Sequence, residues 1–538
     1  MGTGKNAALR GLAAGAALVL AGWSVQALAA PPRVKVAQGV LEGTVKGAVA
    51  RFAGIPFAKP PVGDLRWRAP QPAPAWDGVR NAAEFGAACL QLDLLRATGV
   101  TKVEMRMKPQ AFIKSQSEDC LTLNIWKPAA ARAGAKLPVM VWFHGGGYNR
   151  GTGMGPHYDG THFAEKGVVL VTFNYRLGRL GFFAHPALTA EDPNGQLGNY
   201  GIMDAMAALK WVKANIAAFG GNPANVTVFG ESAGGAGVNL LMSSPQARGL
   251  FDKAIAQSSF GRNPLIPMRG DGPVTAEKIG QAYARAMGVS GEGKSALHDL
   301  RALTAEQLTA VDVPDGADGI IGPMRDGVVV RENPIEAFTA GHEAKVPYII
   351  GGNSYEASLS TDATSNPEAI LGTAGAYRDR LLAAYGGDPV RAAQNLFAER
   401  GVAEPDRALA RLHVRNGQKA WVYHYSYVPA KLLGNTPGMR HGGEIPFVFR
   451  TLNDPAVTSE FGLAPPATPA DIAISNRTLA YWTAFARRSD PDSAGGVAWP
   501  AFDRKTGAVL EFAQDGIKVR PRYHKQTLDW LEQLAAGH

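Results

Sequence analysis

A chain of 538 residues, 46% hydrophobic and 19% charged, has ample material for a large buried core, which excludes a disordered or fibrous protein. Its formal charge of +9 comes from positive residues scattered without runs or aromatic interleaving, so no nucleic-acid-binding footprint is present. No segment supplies the ~20 consecutive apolar residues of a spanning helix, and stable membrane insertion is not expected.

The chain opens with Lys5 and Arg10, an apolar run from Leu12 to Trp23, and "ALAA" before Pro31. This is the layout of a secretory signal peptide cut after Ala29. Its removal leaves residues 30–538 as a single mature domain and lowers the charge by two. The alanine-rich signal and body point to a bacterial protein exported to the periplasm or the medium. In that oxidising setting Cys89 and Cys120, the two cysteines, are read as one disulfide, with two reduced buried thiols as the alternative. A bridge closing a loop of this length contributes roughly 3–4 kcal/mol by chain-entropy reasoning.

Next come short apolar runs rich in valine and isoleucine: Val139–Phe143, Val168–Asn174, Asn225–Phe229 and Val346–Ile350. Such runs predict strands of a parallel sheet covered on both faces. Between the second and third, Ile202, Met206, Leu209, Val212 and Ile216 recur at helical spacing, and Gly220, Gly221 and Pro223 end the helix. Strand, helix, strand of this kind builds an α/β doubly wound sheet, whose sites lie beyond the carboxyl ends of the strands.

The residues just after those strands are therefore the candidates. "HGGGY" follows Phe143, and its consecutive glycines let backbone N–H groups turn inward; Gly146 and Gly147, with the N–H of Ala233, are the expected oxyanion donors. A phosphate-cradling loop is set aside because no Gly-Lys-Ser/Thr follows. "GESAGG" follows Phe229 and places Ser232 between Gly230 and Gly234, the pattern of a nucleophile elbow. There a strained turn exposes the hydroxyl, small flanking residues avoid a collision, and the following helix aims its positive end at the site.

A serine hydroxyl needs a base, and histidine suits neutral pH. With the elbow's chain order of Ser, acid, His, the candidates among eleven histidines are His298, His342, His413, His424, His441, His524 and His538. His413, in "ARLHVRNGQ", reads as a surface residue of a charged helix, and His424, in "WVYHYSY", as part of an alternating strand. His441 lies in the glycine-flanked loop "GMRHGGEIPFVF" and is favoured, the others remaining open. For the acid, "VPYIIGGNSYEAS" delivers Glu356 six residues after Ile350, although such a residue is ordinarily an exposed loop carboxylate.

Several long motifs in order extend the pattern: "RFAGIPFAKPPVGDLRW" (Arg51–Trp67), "SEDCLTLNIW" (Ser117–Trp126), "NYRLGRLGF" (Asn174–Phe182), "GNYGIMDAMAALKWV" (Gly198–Val212), "FGGNPANVTVFGESAGG" and "HGGEIPFVF" (His441–Phe449). With these, almost the whole mature chain resembles the type-B carboxylesterases, the cholinesterase-like branch of the α/β-hydrolase fold. The resemblance implies a large, mostly parallel doubly wound sheet flanked by helices, with loop and helical insertions around a gorge. It implies Ser232 as nucleophile, His441 as general base and acid, Glu356 as the carboxylate orienting it, and Gly146, Gly147 and Ala233 as the oxyanion hole. It also implies a Cys89–Cys120 bridge, with Leu90 to Asp119 shaping access to the serine. Ala357 and Ala205 depart from the family's usual glycine and glutamine, which puts local loop geometry in question. Glu444 and Ser258 match positions behind the triad.

The expected activity is hydrolysis of a small carboxylic ester through an acyl-enzyme, without metal or organic cofactor. A lipase, a lactonase or an esterase for a natural toxin shares the constellation. A non-catalytic, cholinesterase-like binding protein is the alternative of another class.

Overall fold

In the computed structural model, which describes residues 1–2, 31–91, 112–192, 195–310, 322–463 and 465–537, side chains alternate sides along the central strands. Of the proposed signal segment only residues 1 and 2 fall in this set, and residues 92–111 of the expected gorge loop lie outside it. Pro32–His538 form one compact unit.

The strands of the main sheet, in chain order, are β1 (Thr44–Lys46), β2 (Val49–Pro56), β3 (Thr122–Pro128), β4 (Leu137–Phe143), β5 (Val169–Phe173), β6 (Gly221–Glu231), β7 (Lys253–Gln257), β8 (Tyr348–Asn353), β9 (Ala420–Tyr425), β10 (Val509–Ala513) and β11 (Gly516–Arg520). They lie side by side in the order 11-10-9-8-7-6-4-5-3-2-1. From β5 through β10 every neighbour is parallel. The remaining pairings at the two edges are antiparallel. The crossing of β4 and β5 in this order brings the carboxyl ends of β4 and β6 together, and that is where the site lies.

Each central strand feeds two cores. Val139, Val141 and Phe143 of β4 join Val169, Val171, Val226 and Val228 on one face, while Met140 and Trp142 join Leu170, Phe229 and Ile349 on the other. A sheet buried on both faces needs apolar residues at every position, and these runs supply them. Helix α1 (Tyr200–Asn215) lays Ile202, Met206, Leu209 and Val212 on the first face. It continues as a 3-10 turn to Phe219 and stops at Gly220, whose φ of +88° is left-handed. Helix α2 (Ala233–Ser243) follows β6, and α3 (Pro389–Ala398) and α4 (Glu404–Arg415) precede β9. Helix α5 (Pro469–Arg488) covers the second face with Leu479, Tyr481, Trp482 and Phe485.

Two links tie the loops that surround the site. Cys89 and Cys120 form a disulfide. Arg176, in the loop after β5, donates Nε and Nη2 to the two carboxylate oxygens of Asp204 in α1, each at 2.8 Å, and both side chains are buried. Removing one partner of such a buried pair strands a charge, at a cost of about 3–5 kcal/mol.

The reading of His413 as a surface residue is corrected. It is buried on α4, with Nδ1 3.1 Å from Glu343 Oε1 and Nε2 2.8 Å from the Val346 carbonyl. At helical spacing His413 shares its face with Leu409, while the neighbouring arginines occupy the opposite side.

Candidate active site

The strand β6 ends at Glu231, α2 begins at Ala233, and the single residue between them turns the chain. Ser232 takes φ 57° and ψ −125°, a sparsely populated conformation costing on the order of 1–3 kcal/mol for a residue with a side chain. Two backbone bonds hold it there: its N–H donates to Gln257 O at 2.9 Å and its carbonyl accepts from the Ala236 N–H at 2.8 Å. The turn is tight enough that a Cβ on Gly230 would come within 2.6 Å of the Phe143 carbonyl oxygen, and one on Gly234 would collide with that same oxygen. Glycine is required at both positions by close approach to β4.

The glycine run after β4 passes directly beside the serine. A Cβ on Gly145 would meet Ser232 Cβ at 3.1 Å. Gly146 and Gly147 both have positive φ, +105° and +63°. Among the described residues the N–H groups of Gly146, Gly147 and Ala233 donate to no acceptor. Backbone donors left open in this way can stabilise negative charge on an oxygen.

Glu356 lies just beyond β8 and is buried, not the exposed loop carboxylate that its sequence setting ordinarily signals. Its Oε1 accepts from Ser258 Oγ at 2.6 Å and from the Asn353 N–H at 2.7 Å, and its Oε2 lies 2.5 Å from His441 Nδ1. The acid and histidine loops are laced together: the Tyr355 N–H donates to Met439 O, Met439 N–H to Ser354 Oγ, and His441 N–H to Ser358 Oγ. Ala357, where a glycine was the usual residue, is buried without a left-handed φ, so the loop does not need glycine there.

The other imidazole nitrogen, Nε2, faces the elbow and lies 3.1 Å from Glu231 Oε1. Among the described residues Nε2 makes no hydrogen bond, to Ser232 Oγ or to Glu231, whose carboxylate is its ion-pair neighbour. Burial opposes a charge on the His441 ring, but Glu231, Glu356 and Glu444 around it outweigh burial and raise it above the ordinary imidazole value. Burial pushes the Glu231 carboxyl up in turn, against the pull of His441. Glu444 is also buried and raised by desolvation, while accepting from Gln257 Nε2 at 2.9 Å and from Asn353 Nδ2.

Of the predicted residues, Glu356 and His441 are in contact, His441 reaches Glu231 next to Ser232 and Ala233, and Gly145, next to Gly146 and Gly147, closely approaches Ser232; Ser258 bonds Glu356 from behind, and Glu444 lies near it. The sequence reading missed Glu231, Asn353 and Gln257. Only Glu231 carried a signal, its place inside the elbow motif. Among the described residues no cluster of three His, Cys, Asp or Glu side chains is arranged to hold a metal, and no helix is long and apolar enough to cross a membrane.

Comparison with known proteins gives a consistent picture. A family model described as "Carboxylesterase family" matches residues 30–383 and 376–530. The chain is similar to a fumonisin B1 esterase of Sphingopyxis macrogoltabida, 36% identical over 504 residues, covering 90% of this chain and 87% of the relative. It is 32% identical to a para-nitrobenzyl esterase of Bacillus subtilis over 487 residues, 88% of this chain and 93% of that one. Among solved structures, a carboxylesterase of Geobacillus stearothermophilus superposes with a TM-score of 0.77 at 32% identity, covering 92% of this chain and 99% of the other.

Proposed function

The chain belongs to the carboxylesterase family and hydrolyses carboxylic esters, and we propose that Ser232, His441 and Glu356 carry that reaction through an acyl-enzyme. The observation that bears most on this reading is a strained, half-buried serine directly after Glu231, the residue whose carboxylate meets an imidazole whose far nitrogen is held by a second buried carboxylate.

In the first half-reaction Ser232 Oγ gives its proton to His441 Nε2 and attacks the ester carbonyl. The oxyanion is received by the N–H groups of Gly146, Gly147 and Ala233, and His441 returns the proton to the departing alcohol. Water then repeats the sequence and frees the acid. Catalytic hydrogen bonds commonly tighten only once substrate is in place, and here the imidazole has to exchange Glu231 for Ser232 as its partner. The elbow's own strain keeps Oγ presented to that exchange.

Incubation with p-nitrophenyl butyrate and, separately, with a p-nitrophenyl phosphonate tests the assignment. Turnover is expected, together with a phosphonyl mass increment on the peptide that contains Ser232. An adduct elsewhere, or turnover that survives complete labelling, overturns the triad; neither turnover nor adduct favours a binding protein. Because one relative is a fumonisin B1 esterase, the ester panel should include bulky natural-product esters, for which we propose this chain as a candidate.

Residues 1–29 are proposed as the export signal and 30–538 as the mature catalytic domain, in the periplasm or outside the cell. The disulfide supports this, since such bridges persist in oxidising compartments.

The surrounding carboxylates set a pH signature. His441 must be neutral to act as base, so kcat/KM rises with pH as the imidazolium loses its proton. Because the folded environment raises that ionisation, the acid limb is expected above pH 6.5, the ordinary imidazole value. Glu231→Gln removes a carboxylate that favours the charged ring, and the limb should move to lower pH. A limb that stays put or moves upward counts against the pairing.

A further inference from the structure

The N–H groups assigned to the oxyanion owe their aim to the carbonyls that share their peptide planes. A trans peptide points its N–H and its C=O in opposite directions, so fixing one fixes the other. The Gly145 carbonyl, paired with the Gly146 N–H, accepts from His144 Nδ1 at 2.9 Å. The Gly146 carbonyl, paired with the Gly147 N–H, accepts from the Asn149 and Arg150 N–H groups at 3.1 and 3.2 Å. Burial keeps the His144 ring neutral, its ionisation lowered to about 4. Because a carbonyl only accepts, Nδ1 is the nitrogen that carries the proton.

The turn that makes these bonds closes on itself at Gly151. A Cβ on Gly146 would come within 2.3 Å of the Arg150 carbonyl oxygen, and one on Gly151 within 2.5 Å of His144 Nδ1 and 2.7 Å of the Gly145 carbonyl oxygen. Gly151 and the residue before it therefore lie against the two peptides whose orientation matters. Gly146 and Gly151 both take left-handed φ, +105° and +112°. Glycines gain that freedom at the cost of conformational entropy, so a turn built on them needs a restraint from outside.

Gln91 is that restraint. It is half-buried, and its side-chain amide makes two bonds to one residue: Oε1 accepts from the Gly151 N–H at 3.0 Å, and Nε2 donates to the Gly151 carbonyl at 2.7 Å. Gln91 is itself anchored. Its N–H donates to Gln116 Oε1 at 3.1 Å, and two residues before it Cys89 pairs with Ser117 and is bridged to Cys120.

We propose that Gln91 is a positioning residue of the ester-cleaving site: by clamping Gly151 it holds the turn that aims the Gly146 and Gly147 N–H groups at the oxyanion. The inference rests on the assignment of those groups as the oxyanion donors and of Ser232 as the nucleophile.

The test compares the full chain with Gln91→Met, which keeps the length of the side chain and removes both bonds, and with Gln91→Glu, which keeps the acceptor for the Gly151 N–H and sets a second oxygen against the Gly151 carbonyl. Two inhibitors separate positioning from a merely structural role. Butyl trifluoromethyl ketone takes Ser232 Oγ on its carbonyl carbon, the hydroxyl proton passing to His441 and the π electron pair to the oxygen, so its affinity reads the oxyanion site. The anilide p-nitrobutyranilide copies p-nitrophenyl butyrate in the ground state and reads the rest of the pocket. Both variants should lose about tenfold to a hundredfold in kcat for p-nitrophenyl butyrate, up to the scale of a misplacement by about 1 Å. The ketone should weaken by the same factor, while KM and the inhibition constant of the anilide stay within about twofold. Gln91→Glu carries the test if Gln91→Met does not fold. An unchanged kcat in a folded variant, a fall in kcat without loss of ketone affinity, or equal weakening of ketone and anilide overturns the proposal. A ketone that fails to inhibit the unsubstituted protein removes the Ser232 assignment itself, and this inference with it.

Discussion

Ser232→Ala is expected to lower kcat for p-nitrophenyl butyrate by on the order of 10⁵- to 10⁶-fold, the scale seen when a serine nucleophile is removed from a triad. The size follows from the chemistry lost: without Oγ there is no acyl-enzyme, and His441 has no proton to accept. What survives is the proposed oxyanion site, since the Gly146, Gly147 and Ala233 N–H groups do not depend on the serine side chain. That remainder should keep the variant on the order of 10³-fold above the uncatalysed rate. The alanine keeps the same backbone bonds to Gln257 and Ala236, so thermal stability should hardly move. Steady-state kinetics with a purified, phosphonate-inert variant settles the matter: a loss below about a hundredfold places the nucleophile elsewhere.

Glu356→Gln should cost about 10⁴-fold in kcat with little change in KM, comparable to converting the acid of a serine triad to its amide. The carboxylate accepts from three sides, Ser258 Oγ, the Asn353 N–H and His441 Nδ1. Glutamine replaces one accepting oxygen with an NH₂ group, so one of those donors now faces another donor. If the NH₂ faces the Asn353 and Ser258 side, a buried N–H is left unsatisfied at a cost of about 1–3 kcal/mol. If it faces His441, Nδ1 must become an acceptor and the ring proton moves to Nε2, the atom that has to receive the serine's proton. The imidazole is then the wrong tautomer for a base. Comparing kcat with the melting temperature separates the two arrangements, and a loss under tenfold would show that Glu356 does not orient the ring.

Much of the fold was legible because it is written locally. The apolar runs at Val139–Phe143 and Asn225–Phe229 lie within β4 and β6, and the spacing of Ile202, Met206, Leu209 and Val212 matches the buried face of α1. The antiparallel edge strands β1 and β11 went unread, since they are short and largely exposed or half-exposed. Ser232 and the glycines were legible for the same local reason, that close backbone approach leaves a residue-type signature. The contact of His441 with Glu231 was not, because it joins residues far apart in sequence. His413 was misread because charges beside it in the chain lie around the helix from it, and its partner Glu343 comes from a distant segment.

The lacing of the acid loop to the histidine loop has one more consequence. Hydrogen bonds that span the two loops bind Ser354, Tyr355 and Ser358 to Met439 and His441, so the pair Glu356 and His441 is held as one cassette. Segments outside that cassette can therefore diversify among descendants, trading one alcohol or acyl shape for another, while the proposed proton-handling pair is inherited intact.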